Sequence, residues 1–154
     1  MADNNFDSGI DEQPAKVTMT VLLVEPGKHP RQVEIGTKLE DLQEAVGGYI
    51  EVIYSFEDPV ALVMNDEGKL NGLPYNRALK DDDGNVYDVI AGPFLVVGIQ
   101  EENFGSLTPE QLEAYKKIYL IPEMFLRTSA GLMALPDFEA DAEATYQAVE
   151  GVWE

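Results

Sequence analysis

The feature that most constrains this fold is punctuation. Apolar residues come in short β-branched runs, and each run is closed by Gly, Pro, Asn or Asp. Runs of that length and composition predict strands, and the closing residues predict turns. VTMTVLLVEP (17–26) reads as a strand that stops at Pro26-Gly27. RQVEI (31–35) returns beside it across Lys28-His29-Pro30, so 17–35 reads as a hairpin. YIEVIYSF (49–56), VALVM (60–64), Val86–Ile90 and Phe94–Ile99 supply further strands. Asn65-Asp66-Glu67-Gly68 and Asp81–Asn85 read as turns, and 71–80 as irregular.

Helices are fewer. Thr37 with Glu40 has the spacing of a capping box, and Leu39, Leu42 and Val46 form the stripe to be buried. Gly47-Gly48 closes this helix. Thr108, Pro109 and Gln111 open a second one, with Leu112, Tyr115 and Tyr119 on one face. A third is expected over 137–150, with an acidic outer side. Residues 123–136 are apolar without a period. About seven strands and two or three helices, grouped rather than alternating, predict an α+β single domain with a largely antiparallel sheet. The expected organisation is a disordered acidic tail (1–15), a core (16–122) and a C-terminal extension (123–154).

Charge narrows the function. The chain carries 29 Asp+Glu against 10 Lys+Arg, a net −19. A small domain needs a magnitude of only about 2–8 for colloidal stability. Residues 1–15 hold −4, residues 128–154 hold −6, and neither end has a base; the middle holds −9. Such a surface repels nucleic acid and anionic membranes, and no Lys/Arg stripe offsets it. The compatible partners are basic proteins, cations or water: the surface reads either as a ligand for a protein's nucleic-acid-binding surface or as a solubilising one.

Enzyme chemistry finds no foothold. There is no cysteine, and one histidine, His29, lies in a turn. Transition-metal ligands are therefore lacking, and no cofactor is expected. Nucleophile-elbow, Walker and dinucleotide patterns do not occur. Asp81-Asp82-Asp83-Gly84 fails as a calcium loop, because Leu79 stands where the first ligand belongs. The acidic N-terminus shows no secretory signal, and no apolar run is long enough to span a bilayer, so a cytoplasmic protein is expected.

Two groups of residues stand out. The acids Glu40, Asp41, Glu44, Asp81, Asp82, Asp83, Asp137, Glu139, Asp141 and Glu143 are candidates for a partner-binding face. The polar set Gly47, Gly48, Tyr49, Glu51, Asn65, Lys69, Asn76 and Arg77 is a candidate ligand pocket. Arg77 is expected to pair with a carboxylate, either one such as Glu51 or Glu67 or one from a ligand.

Four blocks stand in order: VEPGKHPRQVEI, LEDLQEAVGGYIEVIY, NDEGKLNGLPYNRAL and YDVIAGPFLVVG. Together they make roughly residues 19–122 resemble a bacterial and phage family called domain of unknown function 3846. The resemblance implies a setting, the cytoplasm of a host carrying a phage, plasmid or conjugative element. It implies no reaction.

Three functions compete. The first is a counter-defence inhibitor whose acids imitate DNA phosphates and occupy a basic channel of a host nuclease or CRISPR effector. The second is a module that sequesters a nucleotide signal in the polar segment. The third is an accessory protein acting by ordinary contacts, with an oligomer formed through 124–135 as one form of it.

Overall fold

The structure is a computed structural model that describes residues 17–54 and 56–140. Among these residues ten strands and two helices follow in the order β1 (Thr18–Val24), β2 (Arg31–Gly36), α1 (Leu39–Val46), β3 (Ile50–Ile53), β4 (Val60–Asn65), β5 (Tyr75–Lys80), β6 (Val86–Ala91), β7 (Phe94–Gln100), β8 (Asn103–Gly105), α2 (Pro109–Ile118), β9 (Glu123–Thr128) and β10 (Gly131–Pro136). Every strand pair is antiparallel, and the arrangement is α+β.

The main sheet runs β2-β1-β7-β4-β3, and β8 pairs with β7 beyond the point where β1 leaves it. Its central strands are covered on both faces. All six residues of β4 are buried, as are the first five of β7. A strand buried on both sides loses its polar alternation, which is why VALVM and FLVVG read as unbroken apolar runs. Alternation along β1 and β4 divides the core in two. Met19, Val21, Ala61 and Val63 face α1, where they meet Leu42 and Val46. Leu22, Val24, Leu62 and Met64 face the other way, onto Leu79 and Ile90 of the β5–β6 hairpin and Tyr115 and Tyr119 at α2. The sheet is thus clamped between α1 on one side and the hairpin with α2 on the other.

Local chemistry explains the helix ends. Thr108 Oγ1 accepts the Gln111 N–H at 3.1 Å and Gln111 Oε1 accepts the Thr108 N–H at 2.9 Å, the reciprocal box its sequence predicts. The first helix starts one residue later than expected. Lys38 takes the cap position with extended backbone, and its N–H donates to Asp41 Oδ2 at 3.1 Å. Thr37 and Glu40 are displaced from their roles because packing of Leu42 and Val46 sets the register. Leu39, expected in the stripe, is 55% exposed. At the far end Gly47 adopts the left-handed conformation (φ 83°), which a Cβ would strain.

Two further expectations are corrected. Residues 75–80, read as irregular, are strand β5. A register shift falls between Tyr75 and Arg77, leaving Asn76 as a bulge. The bulge puts Asn76, Arg77, Ala78 and Leu79 all into the interior, which erases any period of two. Residues 123–136, read as aperiodic, form the β9–β10 hairpin, whose turn spans Ser129 and Ala130. It packs on β5 through Phe125, whose ring meets Tyr75 edge-on at 5.5 Å. The acidic tail 1–15 and most of the expected third helix, with Asp141 and Glu143, lie outside the described residues. Asp137, at its expected start, opens a turn in which Oδ1 accepts the N–H groups of Glu139 and Ala140.

Candidate functional site

The polar set expected to form one pocket divides into three places. The first is a helix stop. Asn65, at the end of β4, donates from Nδ2 to Val46 O at 3.1 Å and accepts the Glu67 N–H at 2.8 Å. It ties the last turn of α1 to the β4 turn. A Cβ on Gly48 would come within 2.9 Å of this amide, so Gly48 serves that approach. Tyr49 beside it points outward and is exposed.

The second place is a recess of about 310 Å³ between the β4–β5 connection and β6. Glu51, Asp66, Glu67 and Asp88 line it, with Lys69 the one cation there among the described residues and Met64, Leu79 and Ile90 beneath. Lys69 Nζ is bound to Asp88 Oδ1. Burial raises the Asp88 carboxyl, but hydrogen bonds from Lys69 and from the Val89 N–H outweigh it and hold the group below the usual range. With four carboxylates around one committed ammonium, the recess does not suit an anionic nucleotide. Among the described residues, no three such groups converge well enough to hold a metal ion.

The third place is a buried network away from Lys69. Arg77 is 1% exposed. Its Nε and Nη2 donate to Tyr119 O at 3.2 and 2.9 Å, Nη2 also to Lys28 O at 2.7 Å, and Nη1 to Asn76 Oδ1 at 2.9 Å. Asn76 Nδ2 in turn donates to Val24 O and Gly92 O, each at 2.9 Å. The expected pairing of Arg77 with Glu51 or Glu67 is not formed; backbone carbonyls and the Asn76 side-chain oxygen take its donors. Burial lowers the guanidinium to about 10, against the opposing fields of Glu123 and Tyr119. Arg77 therefore joins three segments, namely the β1–β2 turn, β5 and the end of α2.

The candidate acids divide as well. Glu40, Asp41 and Glu44 stand on α1; Asp81, Asp82 and Asp83 stand in the β5–β6 turn. Because α1 and the β5–β6 hairpin cover opposite faces of the main sheet, these two groups do not share one face. Asp81 is also committed locally, since its Oδ1 accepts the N–H groups of Asp83 and Asn85.

The α1 group has a further member that sequence reasoning missed. A groove of about 340 Å³ runs along the β2 edge, lined by Glu34, Ile35, Gly36, Asp41, Glu44 and Ala45 with Thr18. Glu34 leaves the sheet on the side away from α1, and as a residue of the edge strand β2 it lines the same groove. Thr18 Oγ1 and Thr20 Oγ1 donate to its two oxygens at 3.2 and 2.6 Å. The signal was present in the sequence as Thr18 and Thr20 opposite Glu34 across the predicted hairpin, a register that puts all three on one side. Glu34 and Asp41 are thus carboxylates held in place, and Glu44 stands beside them.

Among the described residues no helix is long and apolar enough to cross a membrane. The model of the family described as "Domain of unknown function (DUF3846)" matches residues 19–120. That span contains both helices and, apart from Thr18, the main sheet and the β2-edge groove. No curated protein and no solved structure matches the chain.

Proposed function

Since the chain belongs to the domain of unknown function 3846 family, we propose that it is a binding protein rather than an enzyme, docking its acidic β2–α1 edge on a Lys/Arg-rich protein surface. The observation that carries this reading is the hydrogen-bonded placement of Glu34 and Asp41 beside Glu44 along one groove. Carboxylates fixed before binding lose little side-chain entropy when they meet guanidinium or ammonium groups. The net −19 adds long-range attraction toward such a partner. The partner class with the densest positive charge is a nucleic-acid-binding channel, so the finer reading is a counter-defence inhibitor of a restriction or CRISPR nuclease in a bacterial cytoplasm. Separation of the acids onto two faces sharpens this reading. One flat partner meets the α1 edge or the Asp81–Asp83 turn, and the edge has two hydrogen-bonded carboxylates, Glu34 and Asp41, against Asp81 in the turn.

The test is inhibition of DNA cleavage by a panel of restriction and CRISPR nucleases. At least one nuclease is expected to be inhibited, with excess DNA and added salt each relieving the inhibition. Glu40→Lys with Glu44→Lys is expected to abolish it, and Asp82→Lys with Asp83→Lys to leave most of it. Absence of inhibition across the panel overturns the nuclease reading.

A further inference from the structure

The outer edge of β2 carries main-chain hydrogen-bonding groups with no strand beside them. Among the described residues β2 pairs with β1 alone and ends the main sheet. Where its backbone groups point follows from Thr20. The Thr20 N–H donates to Ser106 Oγ and its C=O accepts the Leu107 N–H, each at 2.9 Å, so both are turned away from β2. In an antiparallel pair, opposed residues alternate between exchanging both bonds and exchanging neither. Thr20 stands opposite Glu34, so the Glu34 N–H and C=O are turned away from β1. The same alternation turns those of Gln32 outward and leaves Val33 and Ile35 to bond β1. Gln32 and Glu34 are both exposed. Edge strands are commonly blunted by Pro, Lys or a bulge. Residues 32–36 contain neither Pro nor Lys, and the β1–β2 register runs without a shift.

We infer that the β2 edge accepts an extended, Lys/Arg-rich segment of the partner as an added strand. This rests on the acidic docking proposed above and states how the partner is held: by main-chain bonds to Gln32 and Glu34 as well as by charge. Charge complementarity selects the occupant. Successive side chains of a strand laid beside β2 point to opposite sides of the sheet. On one side they meet Glu34, and on the other Asp41 and Glu44 of α1, which line the groove along this edge. Bases at successive positions therefore find carboxylates on both sides. A second copy paired edge to edge would set the acids of two such grooves against each other. The chain's own residues 1–15 hold four acids and no base, so they meet the same repulsion.

Strand addition can be separated from charge attraction without altering the chain. Octalysine and octalysine N-methylated at every peptide nitrogen carry the same charge, but only the first can donate to the Glu34 C=O. The methyl groups also stand between the two backbones. Amide hydrogen exchange of the full chain, resolved by residue with NMR at low salt, is measured free and with each peptide. Octalysine is expected to slow the Gln32 and Glu34 amides by about fivefold or more, as one net hydrogen bond apiece implies, with Val33 and Ile35 little changed. The N-methylated peptide is expected to bind about tenfold more weakly and to protect neither amide. Equal affinity for the two peptides, with no protection at Gln32 and Glu34, overturns the added strand and leaves the acidic docking standing. Protection confined to β3, the other edge of the main sheet, overturns it too. Gln32 and Glu34 amides already slow in the free chain would give the edge to the chain's own terminus or a second copy, and likewise overturn it. Protection by octalysine alone, in a chain that inhibits no nuclease, supports the added strand and removes only the nuclease reading.

Discussion

Arg77 donates to Tyr119 O, Lys28 O and Asn76 Oδ1, and none of these acceptors is a carboxylate. The guanidinium spreads five N–H donors over three nitrogens of a rigid plane, whereas an ammonium has three donors on one nitrogen and cannot span the same set of acceptors. Arg77→Lys is therefore expected to lower stability by about 2–4 kcal/mol in urea melts, because buried carbonyls lose their donors while a charge stays buried. A loss below about 0.5 kcal/mol, the level of an ordinary surface change, would contradict the clamp. Glu34 is the complementary case. Nothing in RQVEI alone marks it, but the hairpin register with Thr18 and Thr20 does. Residue roles that depend on a partner far along the chain, such as Asn76 on Val24 or Ala78 on Glu123, leave no local pattern to read.

At the scale of elements, what could be read locally follows from chemistry confined to a few residues. The β1–β2 hairpin, the Thr108 capping box and the glycine stop after α1 depend on neighbours, and they stand where expected. The β5 strand was hidden by its bulge, and the β9–β10 hairpin by having apolar residues on both sides. Gly98 gives an element-scale test. A Cβ there would lie 2.5 Å from Ser106 O, where the chain leaving β8 crosses β7 to join β1 through Leu107 N and Thr20 O. Gly98→Ala is expected to cost about 1–3 kcal/mol by overpacking, measured by thermal or urea unfolding. The tyrosines of the second helical segment give another. Burial, then the bond from Tyr115 to Asp58, raises the Tyr115 phenol to about 12, and burial raises Tyr119 further. In the unfolded chain both would ionise near 10, so the folded state holds more protons above that pH and loses stability as pH rises. Arg77 acts in the opposite sense, since its lowered value makes the folded state shed a proton first. Two tyrosines outweigh one arginine, so wild-type stability is expected to fall between pH 10 and 12. Tyr119→Phe should flatten that fall; an unchanged slope would remove Tyr119 from the explanation.

At the scale of the whole molecule, charge and topology together give more than either alone. Net charge could be read at once and pointed toward a basic partner; the number of faces it occupies could not. That number depends on which elements cover which side of the main sheet, and α1 and the β5–β6 hairpin take opposite sides. The long polar segment around Lys69 and Arg77 likewise looked continuous but is distributed among a helix stop, an acidic recess and a buried clamp. What remains ordered, acidic and on one edge is the groove of Glu34, Asp41 and Glu44. The most direct measurement is an equilibrium titration of the full chain against each nuclease of the proposed panel, repeated from about 50 to about 500 mM salt. Docking through the β2–α1 edge predicts that affinity falls at least tenfold over that range, and that Glu40→Lys with Glu44→Lys weakens it to a similar degree at low salt. Affinity that is indifferent to salt, or equal in the variant and the wild type, would contradict it.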